Sequence, residues 1–126
     1  MKWIAKIVNI GAQALEPKTK MVILFGENVN QDLKKVAITQ RFAQATSLND
    51  FIFKKGDTIT IAGQTYAATF VGAMTQSNMK TMGHVTLYFG QKVPQNPLGN
   101  AIYLQLPGAQ LLPKFKVNDE IIYEHI

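Results

Sequence analysis

The sequence predicts an all-β fold, a barrel or a sandwich of short strands with one short helix. Three observations predict it. Apolar and polar residues alternate in short runs along most of the chain, the period of a strand with one buried face. Turn residues separate these runs at regular intervals: Gly11, Lys54-Lys55-Gly56-Asp57, Ala62-Gly63-Gln64 and Pro107-Gly108. Only residues 75–82 combine a helix start signal, Thr75, with a stop signal, Gly83.

Residues 3–10 read as the first strand, with Trp3, Ala5, Ile7 and Val8 competing for the core. Residues 12–15 predict one helical turn, ended before Pro17 because the residue preceding proline avoids helical angles. The unbroken apolar run of residues 21–25 predicts a strand buried on both faces. Residues 26–30 are turn chemistry, and residues 31–35 predict a further helical turn. Residues 36–43 alternate. Residues 45–50 form a polar loop before the short apolar group Phe51-Ile52-Phe53.

Residues 58–62 and 65–71 make the clearest hairpin, joined by Ala62-Gly63-Gln64. In the helix of residues 75–82, Thr75 supplies a capping oxygen, and Met74, Met79 and Met82 are the expected contacts with the sheet, as core filler. Val85, Leu87 and Phe89 then share one strand face; His84, Thr86 and Tyr88 share the other. Residues 90–98 are a proline-containing loop. Residues 99–106 predict a strand, with Ile102, Leu104 and Leu106 on one face, and residues 121–123 a last one. Residues 53–59, FKKGDTI, echo residues 115–121, FKVNDEI. Seven residues are too few to establish a repeat; shared turn grammar is the expected cause, and a duplicated barrel half is the alternative.

A chain of 126 residues fits one domain, residues 1–126, and buries about two thirds of its unfolded surface. A charged fraction of 17% against 47% hydrophobic suits a packed fold rather than a disordered one. The absence of cysteine excludes disulfides and thiolate chemistry. No apolar run approaches the roughly 20 residues of a membrane-spanning helix, and the N-terminal run is interrupted by Lys6, so a cytoplasmic protein is expected. The net charge of +5 is spread over scattered lysine pairs, without the basic stripe of a nucleic-acid reader. No nucleic-acid partner is expected.

The chemistry-bearing residues are few. Two histidines without ligand spacing predict no metal site. No phosphate-binding loop is present, and no cofactor is expected. His125, next to the last residue, is expected to be exposed and mobile. His84 sits at the helix-to-strand junction. A neutral imidazole there can attack phosphorus if its other nitrogen is held. Thr86 on the same face and Lys80 one turn back are candidate supports, one orienting the ring and one offsetting phosphate charge. The ordinary alternative is a junction histidine bonded to a loop carbonyl, and an isolated sequence favours it.

Gly83-His84-Val85-Thr86-Leu87, preceded by Val71-Gly72 and Asn78, resembles the signature of the sorbitol/glucitol-specific IIA component of the bacterial phosphotransferase system (PTS). The likeness runs from Met21-Val22-Ile23-Leu24-Phe25-Gly26 to Lys116-Val117-Asn118-Asp119-Glu120-Ile121, and Gly63-Gln64-Thr65-Tyr66 fits the family's hairpin. It implies a single-domain β-barrel. It also implies a cytoplasmic phosphoryl carrier that takes phosphate on histidine from the phosphocarrier HPr and passes it to sugar-specific IIB/IIC components. Such a protein meets the membrane only through the transporter.

One departure matters. The family places its phosphate-accepting histidine in the strand corresponding to residues 36–43, where this chain has none. Thr39 or Gln40 holds the nearest position. Neither side chain forms the labile N–P bond a carrier needs. Three functions follow for testing: a phosphoryl carrier that uses His84, a IIA-like protein that binds or regulates without phosphotransfer, and a basic barrel that stacks nucleic-acid bases on Phe42, Tyr66 and Tyr88. The last is the least expected.

Overall fold

The computed structural model describes residues 1–15, 20–43, 47–107 and 112–126. Its eight strands are β1 (Lys2–Ile10), β2 (Met21–Gly26), β3 (Ile38–Phe42), β4 (Thr58–Ile61), β5 (Gln64–Val71), β6 (Val85–Phe89), β7 (Ala101–Leu104) and β8 (Glu120–Glu124). They close into a barrel in the order β1-β3-β2-β6-β7-β5-β4-β8, with β8 returning to β1. Helix α1 (Gln31–Val36) joins β2 to β3, and helix α2 (Thr75–Met82) joins β5 to β6. The barrel expected from the resemblance is therefore the fold.

Alternation sorts the side chains. Trp3, Ala5 and Ile7, Ile59 and Ile61, Val85, Leu87 and Phe89, and Ile121 and Tyr123 all point into the core. Each such large apolar side chain contributes about 1.5–3 kcal/mol on burial. Phe51 and Phe53 belong to no strand, yet both are buried. Phe51 packs edge-on against Trp3 at 5.0 Å, and both phenylalanines meet Tyr123 edge-on.

Several local expectations change. Residues 21–25 bury only Val22 and Leu24; the outward residues Met21, Ile23 and Phe25 stay half-buried. Residues 12–15 are a turn without helix. Val36 closes α1, so β3 begins only at Ile38. Asn30 caps α1 by accepting the Leu33 amide at 2.9 Å. Helix α2 has its expected bounds and ends at left-handed Gly83 (φ 58°), but Thr75 does not cap it. Met74 precedes the helix, and its N–H and that of Thr75 donate to the Gly99 and Gly72 carbonyls at 2.8 and 3.1 Å. No side-chain oxygen caps α2, and the Thr75 hydroxyl is buried with no partner among the described residues. Only Thr75 and Met79, four residues apart on one helical face, dock on the barrel. Met74 and Met82 are exposed rather than core filler.

The FKKGDTI/FKVNDEI echo is more than turn grammar. Gly56 and Ala68 exchange backbone bonds at this turn: Gly56 N–H donates to Ala68 O, and Ala68 N–H to Asp57 O, both at 2.8 Å. Asn118 N–H donates in the same way to Ile7 O (2.8 Å), and Ile7 N–H to Asp119 O (2.9 Å). A register shift follows in each strand, between Ala68 and Phe70 and between Ile7 and Asn9. Gly72 N–H then donates to Ala101 O and Gly11 N–H to Ala37 O. Met74 N–H donates to Gly99 O and Gln13 N–H to Lys35 O. Ile102 pairs with Leu87 of a parallel strand, as Ile38 pairs with Leu24. The barrel is two copies of one four-strand unit: β4-β5-β6-β7, and β8-β1-β2-β3 read across the chain ends. Where the first copy has the Ala62-Gly63 turn, the second has the termini, with Met1 N donating to His125 O at 2.8 Å.

This repeat makes a symmetric prediction. A Cβ added at Gly72 would lie 2.2 Å from Gly99 O, and one at Gly11 would lie 2.1 Å from Lys34 O. Gly72→Ala and Gly11→Ala should each lower stability by about 1–3 kcal/mol in urea titrations, by similar amounts. A variant with an unchanged urea midpoint would show that its strand crossing does not need backbone contact.

Candidate functional site at the end of helix α2

Gly83 ends α2 with its N–H bonded to Met79 O, and the chain enters β6 at once. The turn puts His84 on the outer wall of the barrel, half-buried, beside the end of β2. Its Nδ1 lies 2.9 Å from Leu24 O. A backbone carbonyl only accepts, so Nδ1 carries the proton and Nε2 keeps its lone pair. Phe25 stacks on the ring at 4.0 Å and 12°, which fixes its plane. Nε2 accepts from Asn100 Nδ2 at 2.7 Å, and the same amide nitrogen donates to Thr86 Oγ1 at 3.2 Å. Thr86 N–H also donates to Asn100 O at 3.1 Å, which sets Asn100 beside the ring.

The predicted residues fare differently. Thr86 reaches His84 through Asn100, not directly. Lys80 is exposed, and no contact joins it to His84 among the described residues. It lines a neighbouring cavity of about 560 Å³ together with Phe25, Gln40, Arg41, Met82 and Gly83. At the rim of that cavity Arg41 clasps Glu27 through two bonds of 2.8 Å, which hold the Glu27 carboxyl below its usual range. Asn100 was missed by sequence reasoning. Its only local signal is a Gly-Asn turn before a strand; its role depends on the parallel pairing of β6 with β7, which periodicity does not reveal.

In the strand where the resemblance expects the family's acceptor, Thr39 and Gln40 are both buried. Gln40 points into the barrel and is 1% exposed. Its Nε2 donates to Gly83 O at 2.9 Å, and its Oε1 accepts from Tyr123 OH at 2.8 Å. The amide therefore braces α2's end against β8. Thr39, its neighbour, is also buried. His125 is not mobile: its Nδ1 lies 2.6 Å from Asp57 Oδ2, and its side chain is 22% exposed. Among the described residues no cluster of side chains suited to a metal ion is found.

The comparisons agree with this architecture. A family model for the PTS system glucitol/sorbitol-specific IIA component matches residues 2–122. The chain belongs to this IIA family. No curated protein matches the sequence. A solved structure, the PTS system IIA component from Enterococcus faecalis V583, superposes with a TM-score of 0.84 at 30% identity, covering 95% of this chain and 98% of that one. No helix of the described residues in this IIA-family protein is long and apolar enough to cross a membrane.

The Gln40 brace gives a pH prediction. Burial pushes the Tyr123 hydroxyl well above its ordinary value of 10.0, against the lowering effect of its Gln40 bond. Above about pH 10 the unfolded chain therefore releases a proton that the fold keeps, and stability falls as pH rises. Burial of Tyr103, reinforced by Tyr88, acts in the same direction. Tyr123→Phe should cost about 1–3 kcal/mol at pH 7, because Gln40 Oε1 loses its buried donor. It should also show a shallower loss between pH 10 and 12 than the wild type. Parallel pH profiles for the two proteins would contradict this.

Proposed function

We propose that this IIA-family protein is a cytoplasmic phosphoryl carrier whose acceptor is Nε2 of His84. One observation carries the reading. In the other copy of the repeat the positions of His84, Thr86 and Asn100 are held by Met21, Ile23 and Val36. The frame is thus built equally well with apolar residues, so the polar set is not required by the fold. It has the parts that phosphoryl transfer needs: a held Nδ1–H, a lone pair at Nε2 and an amide donor beside it.

Phosphohistidine of HPr is the donor by family likeness, and IIB/IIC components receive the group. Nε2 attacks phosphorus as the donor's N–P bond breaks and its electron pair returns to the donor imidazole. The His84 ring becomes cationic while its Nδ1–H stays bonded to Leu24 O. Asn100 Nδ2 leaves Nε2 and donates to a phosphoryl oxygen, where negative charge gathers. The cationic ring keeps the new N–P bond labile, so the group moves on by the reverse step.

The binding-only reading has its own support. Thr39 and Gln40, the residues nearest the family's acceptor position, cannot form the labile N–P bond, Gln40 is engaged as a structural amide, and Nε2 of His84 is capped until Asn100 moves. The experiment that separates the two readings is incubation with labelled phosphoenolpyruvate, the first phosphotransferase enzyme and HPr. Acid-labile, base-stable label is expected on the wild-type peptide that carries His84. Label on that peptide should vanish in His84→Ala and His84→Gln while the far-UV spectrum of the barrel is kept. Wild type labelled elsewhere but not on that peptide would refute the acceptor. No label on wild type, where a competent IIA is labelled, would favour binding alone.

A further inference from the structure

The second histidine lies outside this site, and its surroundings are chemical rather than incidental. Asp57 sits in the turn before β4, with its side chain 5% exposed. Its Oδ2 accepts the Lys54 N–H at 2.8 Å, and its Oδ1 accepts the Ile126 N–H at 3.4 Å. One carboxylate oxygen is therefore held by a backbone donor of its own turn, and the other by the residue that follows His125. His125 Nδ1 meets the same Oδ2 at 2.6 Å. A backbone pair, His125 N–H to Met1 O at 2.9 Å, holds the residue in line with the barrel wall. Nδ1 must carry the proton it gives to the carboxylate, so Nε2 is the nitrogen with the free lone pair. Among the described residues no partner is recorded for Nε2.

We infer that the Asp57–His125 pair is a second nucleophilic histidine, able to take a phosphoryl group from a donor of the phosphoramidate (N–P) class at Nε2. The carboxylate acts in two ways. It fixes the tautomer that leaves Nε2 bare, and it stabilises the positive charge the ring gains during attack. Nε2 forms the new bond to phosphorus. The donor's N–P bond breaks, and its electron pair leaves with the donor nitrogen, which picks up a proton from water. The Nδ1 proton stays shared with Asp57. Lys54 and Lys55 in the same turn are exposed and draw an anionic donor towards it; Glu124, the preceding residue, opposes them and is paired across the ladder with Lys2. Asp57 is a positioning residue in this account, since it touches the ring and not the donor.

The two histidines are held differently, and this makes them separable. His84 relies on a neutral carbonyl and has its Nε2 capped by Asn100. His125 relies on a carboxylate and has no cap on Nε2 among the described residues. A small donor should therefore discriminate between them without any partner protein.

The test is incubation of the full chain with potassium phosphoramidate, followed by peptide mass spectrometry under basic conditions to locate label. Label is expected at His125 earlier than at His84, and several-fold faster than on N-acetylhistidine methylamide in the same tube. Asp57→Asn should slow labelling at His125 about tenfold, the size of one lost charge-assisted hydrogen bond, and leave the rate at His84 unchanged. Long-range nitrogen–proton spectra of wild type should show the Nδ1–H form of His125, a readout that needs no variant. The inference is overturned if His125 reacts no faster than the model compound, if Asp57→Asn with an intact fold reacts at the wild-type rate, or if the spectrum shows Nε2–H. Absence of label at His84 bears only on the carrier reading and leaves this one standing.

Discussion

The barrel depends on two places where one backbone passes against another without a side chain between. Two strand pairs, β2–β3 and β6–β7, are parallel neighbours. Parallel neighbours cannot be joined by a tight turn, so each pair needs a crossover. The chain leaving β1 or β5 must then slip beside the segment that enters the second strand of that pair. Gly11 and Gly72 allow it, with carbonyls of Lys34 and Gly99 closer than any Cβ would permit. The bonds from Gln13 and Met74 to Lys35 and Gly99 follow from that approach.

Sequence periodicity read the barrel wall well and its joints poorly. Alternation located the inward face of β6, Val85, Leu87 and Phe89, because burial of one face leaves a period of two in the residues themselves. It said little about neighbours. The repeat was visible only as FKKGDTI and FKVNDEI, since those turns need positive backbone angles at Gly56 and Asn118. Elsewhere the two copies share backbone bonds, not side chains: Tyr66 corresponds to Ala5, and Gln40 to Leu104. Backbone geometry can be kept while side chains drift, so a search for similar residues misses it. Asn100 and the Asp57–His125 contact were unreadable for the same reason. Each joins strands that are distant in sequence, and nothing local requires the meeting. The reading of Met74 and Met82 as core filler failed for a simpler cause: an eight-residue helix docks one narrow face, and Met79 already fills it.

The repeat also shows how a polar residue is carried at an inward position of β3. Gln40 and Leu104 hold equivalent places, each following the strand register of its own copy. In one copy the inward side chain is apolar and needs nothing. In the other it is polar, and it is tolerated because Gly83 O and Tyr123 OH satisfy both ends of the amide. A buried amide with all its partners costs little, while the same amide with one partner removed costs the desolvation of the other. Gln40 thus ties the inside of the barrel to the residue before His84. Any movement of α2's end that exposes His84 must stretch this bond.

That coupling sets the two imidazoles apart in energetic terms. Access to Nε2 of His84 requires Asn100 to give up a 2.7 Å bond, and Gln40 resists displacement of the adjoining Gly83. A docking partner can supply the compensating contacts, so reactivity at His84 would be conditional on recognition. Among the described residues His125 has no such restraint on Nε2; its ring is held through Nδ1 to a carboxylate that also accepts a backbone N–H of its own turn. On the two readings proposed above, one nitrogen is gated and the other poised. An uncapped Nε2 accepts from any donor that reaches it, whereas a capped one reacts only where a partner exchanges the cap for a better contact.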